Sequence, residues 1–90
     1  MNRTLCWAPE AWEQYLYWQR TDSKVLAKIN TLLRECARTP FAGTGKPEPL
    51  KGNAYKGYWS RRITQEHRLI YKAEGDNLRI AQCGEHYGDR

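Results

Sequence analysis

The sequence predicts an α+β domain, with two N-terminal helices packed on one face of a small antiparallel sheet in the order β-α-α-β-β-β. Three observations predict it. Apolar residues recur at helical spacing up to Arg38, and residues 40–54 hold three Pro and three Gly. Beyond Tyr55 the pattern becomes extended, rich in aromatic and β-branched residues.

Residues 3–7 alternate weakly and form a short first strand. Ala8-Pro9-Glu10 is a helix start, since Pro is preorganised for the first turn and an acid there favours the helix dipole. Trp12, Tyr15, Leu16 and Gln19 follow at helical spacing. Thr21-Asp22-Ser23 interrupts this helix and supplies caps for a second. Val25, Ile29, Leu32, Leu33 and Cys36 then make one apolar stripe, and the second helix stops before Pro40. Residues 40–54 are a charged loop of a length that is often functional, with Lys46, Glu48 and Lys51 at its centre. Tyr58 to Thr64, Arg68 to Ala73 and Leu78 to Cys83 are strands. Gln65-Glu66-His67 and Glu74-Gly75-Asp76-Asn77 are short enough for antiparallel hairpins. No repeat or linker divides residues 1–90, which form a single domain.

Hydrophobic residues make up 40% of the 90 and charged residues 28%, with four Trp and six Tyr, so a packed soluble domain is expected. The net charge of +5 favours polyanionic partners, although a merely solvated basic surface fits charge alone equally well. Cys6, Cys36 and Cys83 are widely spaced and form no CxxC pair, which fits reduced thiols in a cytoplasmic protein. No metal site and no cofactor are expected. The N-terminal residues have no signal-peptide core, and no run approaches the roughly 18 apolar residues of a membrane span.

Arg61, Arg62 and Arg68 lie on two neighbouring strands and make a phosphodiester cradle, because guanidinium grips phosphate bidentately. The plainer alternative is a set of solvated strand charges, with Arg61 or Arg62 pairing Glu66. Tyr55, Tyr58, Trp59, Tyr71 and Tyr87 are interleaved with these bases, as in grips on single-stranded RNA. Trp59 and Tyr71 are better assigned to the core; Tyr87, beside His86, is not. Glu48, His86 and the arginines together supply the base, acid and cationic donors that metal-free RNA cleavage needs. Spacing alone leaves that assignment weak, since many basic proteins hold such residues.

Ordered blocks carry more. They are Trp12-Glu13-Gln14-Tyr15-Leu16-Tyr17-Trp18-Gln19, Thr39-Pro40-Phe41, Gly43-Thr44-Gly45-Lys46-Pro47-Glu48-Pro49-Leu50-Lys51, Gly57-Tyr58-Trp59-Ser60-Arg61-Arg62-Ile63-Thr64, Glu66-His67-Arg68-Leu69-Ile70-Tyr71 and His86-Tyr87. With these blocks the chain closely resembles the YoeB/Txe branch of the RelE toxin superfamily, from about Leu5 to Tyr87. The resemblance implies a RelE-like fold and a ribosome-dependent mRNA interferase that cuts mRNA in the ribosomal A site and inhibits translation. It implies a YefM-like antitoxin as partner, the ribosome and mRNA as targets, and operator DNA contacted only within the toxin–antitoxin complex. No membrane partner is implied, and a homodimer is left open.

By the same resemblance Glu48 is the general base, His86 the general acid, Arg68 the transition-state stabiliser and Tyr87 the substrate-positioning tyrosine. Lys51, Arg61 and Arg62 match phosphate-binding positions, and His67 stays structural. The chain departs from the family in the Gly88-Asp89-Arg90 tail and at residues 52–56. Two rivals remain: a non-catalytic RNA- or protein-binding module of the same fold, and a ribonuclease that needs no ribosome.

Overall fold

A computed structural model describes residues 2–84. The elements run β1 (Thr4–Trp7), α1 (Pro9–Thr21), α2 (Ser23–Arg38), β2 (Glu48–Pro49), β3 (Trp59–Arg62), β4 (Arg68–Glu74) and β5 (Asn77–Cys83). The α+β class and the two-helix layer are as expected. The five strands form one sheet in the order β1-β5-β4-β3-β2.

Two details differ from expectation. The sheet is mixed, because β1 pairs parallel with β5 while every other pair is antiparallel. Parallel pairing needs a long crossover, and the helices supply it between β1 and the later strands. The loop at 40–54 also contributes a strand of its own, β2, which pairs Glu48 with Ser60 and Pro49 with Trp59.

Pro9 opens α1, and the Asp22 carboxylate caps α2 by accepting from the amides of Lys24 and Val25. The whole predicted stripe of α2 is buried: Val25, Ile29, Leu32, Leu33 and Cys36. In α1 the buried residues are instead Ala11 and Trp18, while Trp12 is exposed and stacks on Tyr15. Leu69 and Tyr71 of β4 and Leu78, Ile80 and Cys83 of β5 complete the core. Their alternation leaves Arg68, Ile70, Lys72 and Glu74 on the face turned away from the helices.

Cys36 and Cys83 are fully buried. Burial pushes the Cys36 thiol up from 9.0 to about 11 and the Cys83 thiol from 9.0 to about 12. Burial also lifts the Tyr71 hydroxyl from 10.0 to about 12. In the unfolded chain these protons leave earlier, so the stability they contribute is complete below pH 9 and is lost as pH climbs from there towards 12. Each group removes up to about 1.4 kcal/mol per pH unit within its window. The urea midpoint, followed under reductant, should therefore hold to about pH 9 and then drop, with a shallower slope in Cys83→Ala. A midpoint unchanged up to about pH 11 would contradict this.

Candidate active site

β2 and β4 flank β3, and this places Glu48, Ser60 and Arg68 on one patch of the open sheet face. Glu48 is the direct partner of Ser60 across β2–β3, and Ser60 is the direct partner of Ile70 across β3–β4. Arg68 lies two residues before Ile70, on the same face. Its Nη1 donates to Ser60 Oγ at 3.1 Å and lies 3.9 Å from Glu48 Oε1. The second distance is an ion pair but too long for a hydrogen bond. Glu48, Pro49, Leu50, Lys51, Ser60 and Arg68 line a cleft of about 520 Å³. Glu48 and Arg68 are both solvent-accessible there, with side chains 62% and 39% exposed.

Arg62 pairs directly with Arg68 across β3–β4 and is exposed on the same face. Among the described residues, none pairs with the side chain of Arg62 or of Lys51, so both cations are free for a ligand. Lys72 and Arg79, farther along the sheet, are held by Glu74 at 3.5 and 2.6 Å.

Arg61 requires a correction. It points to the helix side and is 0% exposed. Its five N–H donors are all used: Nε on the Tyr71 hydroxyl, Nη1 on Glu35 and the Thr44 carbonyl, Nη2 on the Thr39 and Ala42 carbonyls. No donor is left for phosphate, and Arg61 pairs with Glu35 rather than with Glu66. Its role is to tie the loop after α2 to the sheet. Tyr71 adds a bond from its hydroxyl to the Pro40 carbonyl, 2.6 Å. Glu35 accepts from the Thr44 hydroxyl and amide, and these bonds, with the Arg61 guanidinium, hold its carboxyl below the usual range.

Gly45 closes the loop against β3, where its carbonyl accepts from the Arg62 amide at 2.8 Å. It has φ +87°, and a Cβ there would meet Arg61 Cβ and the Arg62 carbonyl oxygen at 3.1 Å, so any larger residue would be strained in backbone and crowded against β3. The next residue, Lys46, also has positive φ, 51°. The backbone leading to Glu48 is thus fixed by internal bonds.

The far end of β5 is held by the Trp18 indole, which donates to the Cys83 carbonyl at 2.9 Å. His67 packs edge-on against the same indole, consistent with a structural place. His86 and Tyr87, the expected acid and positioning tyrosine, lie outside the described residues.

Trp59 packs against the core and Phe41, and Tyr71 is buried, as expected of core aromatics. Tyr55 and Tyr58 stand edge to face beside the cleft strands, with Lys72 over the Tyr58 ring. A separate groove of about 600 Å³ runs between β1 and the helices, faced by Trp7, Trp12, Tyr15 and Leu33. The described residues bring no three His, Cys, Asp or Glu side chains together as metal ligands. No described helix is long and apolar enough to cross a membrane.

Ser60 was not among the expected site residues. Its only sequence signal is its place between Trp59 and Arg61, where strand alternation puts it on the face opposite both.

Solved structures overlay closely. A YoeB/ParE toxin from Agrobacterium tumefaciens matches with a TM-score of 0.85 and 53% identity, covering 93% of this chain and 99% of that one. YoeB from Staphylococcus aureus, solved as a dimer, matches with a TM-score of 0.86 and 43% identity, over 97% of this chain and 100% of that one. The same toxin in a heterotetrameric YoeB–YefM complex gives 0.85 and 43% with the same coverage. The molecule is therefore a RelE-like toxin domain.

Residues 7–87 match the family described as the YoeB-like toxin of bacterial type II toxin–antitoxin systems. Toxin YoeB of Escherichia coli K12 is 57% identical over 83 residues, 92% of this chain and 98% of that protein. The chain belongs to the YoeB-like toxin family.

Proposed function

We propose that this chain is a ribosome-dependent endoribonuclease that cuts mRNA in the ribosomal A site without a metal and so stops translation. The observation that carries the reading is the cleft in which the Glu48 carboxylate and the Arg68 guanidinium face solvent 3.9 Å apart. A base and a cationic donor that share one opening, unspent on each other, suit an in-line attack on a phosphodiester.

Glu48 takes the proton of the 2′-hydroxyl next to the scissile phosphate. The 2′-oxygen forms its bond to phosphorus, Arg68 holds the non-bridging oxygens as charge builds, and the P–O5′ bond breaks. His86 gives its proton to the leaving 5′-oxygen, and Tyr87 positions the substrate. Lys51 and Arg62 hold flanking phosphates; Arg61 takes no part in this contact. The products are a 2′,3′-cyclic phosphate, or the 3′-phosphate from its opening, and a 5′-hydroxyl.

The reading includes a cytoplasmic location and a YefM-like antitoxin, supported by the YoeB–YefM complex of the S. aureus relative. Such a partner is an acidic segment that covers the cleft and folds as it binds.

The test is cleavage of an mRNA set in the A site with one 2′-deoxy sugar immediately 5′ of the cut, run in chelator. The all-ribose message should be cut and the deoxy message should not. Normal cutting of the deoxy message, or new 5′-phosphate ends, would overturn the mechanism. Cutting of naked RNA at the same rate would point to a nuclease that needs no ribosome, and no cutting with retained binding to a non-catalytic module.

A further inference from the structure

We propose that Ser60 is a positioning residue for Arg68, holding the guanidinium out of a closed ion pair with Glu48. The inference deepens the nuclease reading and rests on it. A guanidinium beside a carboxylate tends to form a bidentate pair with two parallel N–H···O bonds. Such a pair here would consume the lone pairs of the base and the donors of the stabiliser together.

The geometry shows what opposes it. Ser60 Oγ accepts from Arg68 Nη1 at 3.1 Å, while the same nitrogen stands 3.9 Å from the carboxylate. The neutral oxygen therefore holds the nearer position although the charged one is in reach.

Ser60 is suited to the task by its rigidity. It is 2% exposed, it lies on β3 with β2 and β4 paired to either side, and its backbone partners are Glu48 and Ile70. A short side chain has one torsion to fix, so its oxygen is set by the sheet itself. The long Arg68 side chain has no such constraint of its own. Among the described residues Arg68 is the one side-chain hydrogen-bond partner of Ser60.

The test compares Ser60→Ala, Ser60→Cys and Ser60→Thr with the wild-type chain, in A-site cleavage and in side-chain ¹⁵N spectra of Arg68. Ala and Cys should each lower kcat about tenfold or more while KM moves less than about threefold, and Thr, which keeps the hydroxyl, should recover most of the rate. Cys preserves the volume of the buried site, so it separates lost positioning from lost packing if the Ala variant unfolds. The Arg68 guanidinium signals, restrained in the wild type, should average in Ala and Cys and be restrained again in Thr.

Unchanged kcat in Ala and Cys, or Thr as slow as Ala, would overturn the proposal. Should the wild type itself cut nothing, the nuclease reading fails; the spectra then still decide whether Ser60 restrains Arg68, and unchanged spectra would overturn that as well.

Discussion

Arg68→Ala is expected to slow A-site cleavage by roughly 10²–10⁴-fold and to abolish growth arrest, in a protein that still folds. The size of the loss follows from position. The guanidinium lines the cleft beside Glu48, where the proposed mechanism puts the developing charge, and no other described cation lines the cleft except Lys51 on the loop side. Lys51 cannot replace it, because an ammonium on a flexible stem offers no planar fork. Stability should change little, since the Arg68 side chain is 39% exposed and its ion pair is long. Glu48→Gln, which keeps shape and removes the base, should fall in the same range of roughly 10²–10⁴-fold. Single-turnover cleavage on programmed ribosomes measures both. An Arg68→Ala protein that cuts within about threefold of the wild type would remove Arg68 from the chemistry.

The neighbouring arginines should behave in opposite ways. Arg61→Met is expected to cost about 3–5 kcal/mol, a large share of the roughly 5–15 kcal/mol that holds a small domain together. The cost comes from what is left behind: the carbonyls of Thr39 and Thr44 lose the guanidinium donors, that of Ala42 keeps only the Thr39 hydroxyl, and the half-buried Glu35 loses its cation. Arg61→Lys should not rescue it, since one ammonium cannot reach acceptors spread around a planar fork. Arg62→Ala, one residue on and exposed, should change stability by less than about 0.5 kcal/mol while weakening RNA binding and its salt dependence. Urea unfolding and salt-titrated RNA binding separate the two. An Arg61→Met chain as stable as the wild type would show that the loop is held by something else.

The contrast between these arginines shows how far sequence carries. Two arginines in a row look equivalent in composition, yet a strand sends them to opposite faces. Trp59, Arg61 and Ile63 share one parity, and the apolar pair around Arg61 points to the interior; this signal was present but outweighed by the chemistry expected of a basic cluster. The α2 stripe was legible because five apolar residues agree on one face. The face of α1 was not, because Ala11 and Trp12 are adjacent and residue size favours the wrong one. The parallel pairing of β1 with β5 joins segments more than seventy residues apart, for example Thr4 with Asn77, and no local pattern reports it. Family resemblance singled out Glu48 and Arg68, which the fold brings into one cleft, whereas the Ser60 hydroxyl beside Arg68 depends on a register that only the folded sheet fixes.

The strand order has a consequence for how the molecule is made. β5, the last of the described strands, lies inside the sheet between β1 and β4, and its Leu78, Ile80 and Cys83 complete the core. A nascent chain that has not yet exposed β5 has a first strand with no partner and a hairpin with one side bare, so its long-range contacts have nothing to close on. The sheet therefore cannot be completed while β5 is still inside the exit tunnel, and the strands and helices made before it wait for its apolar side chains.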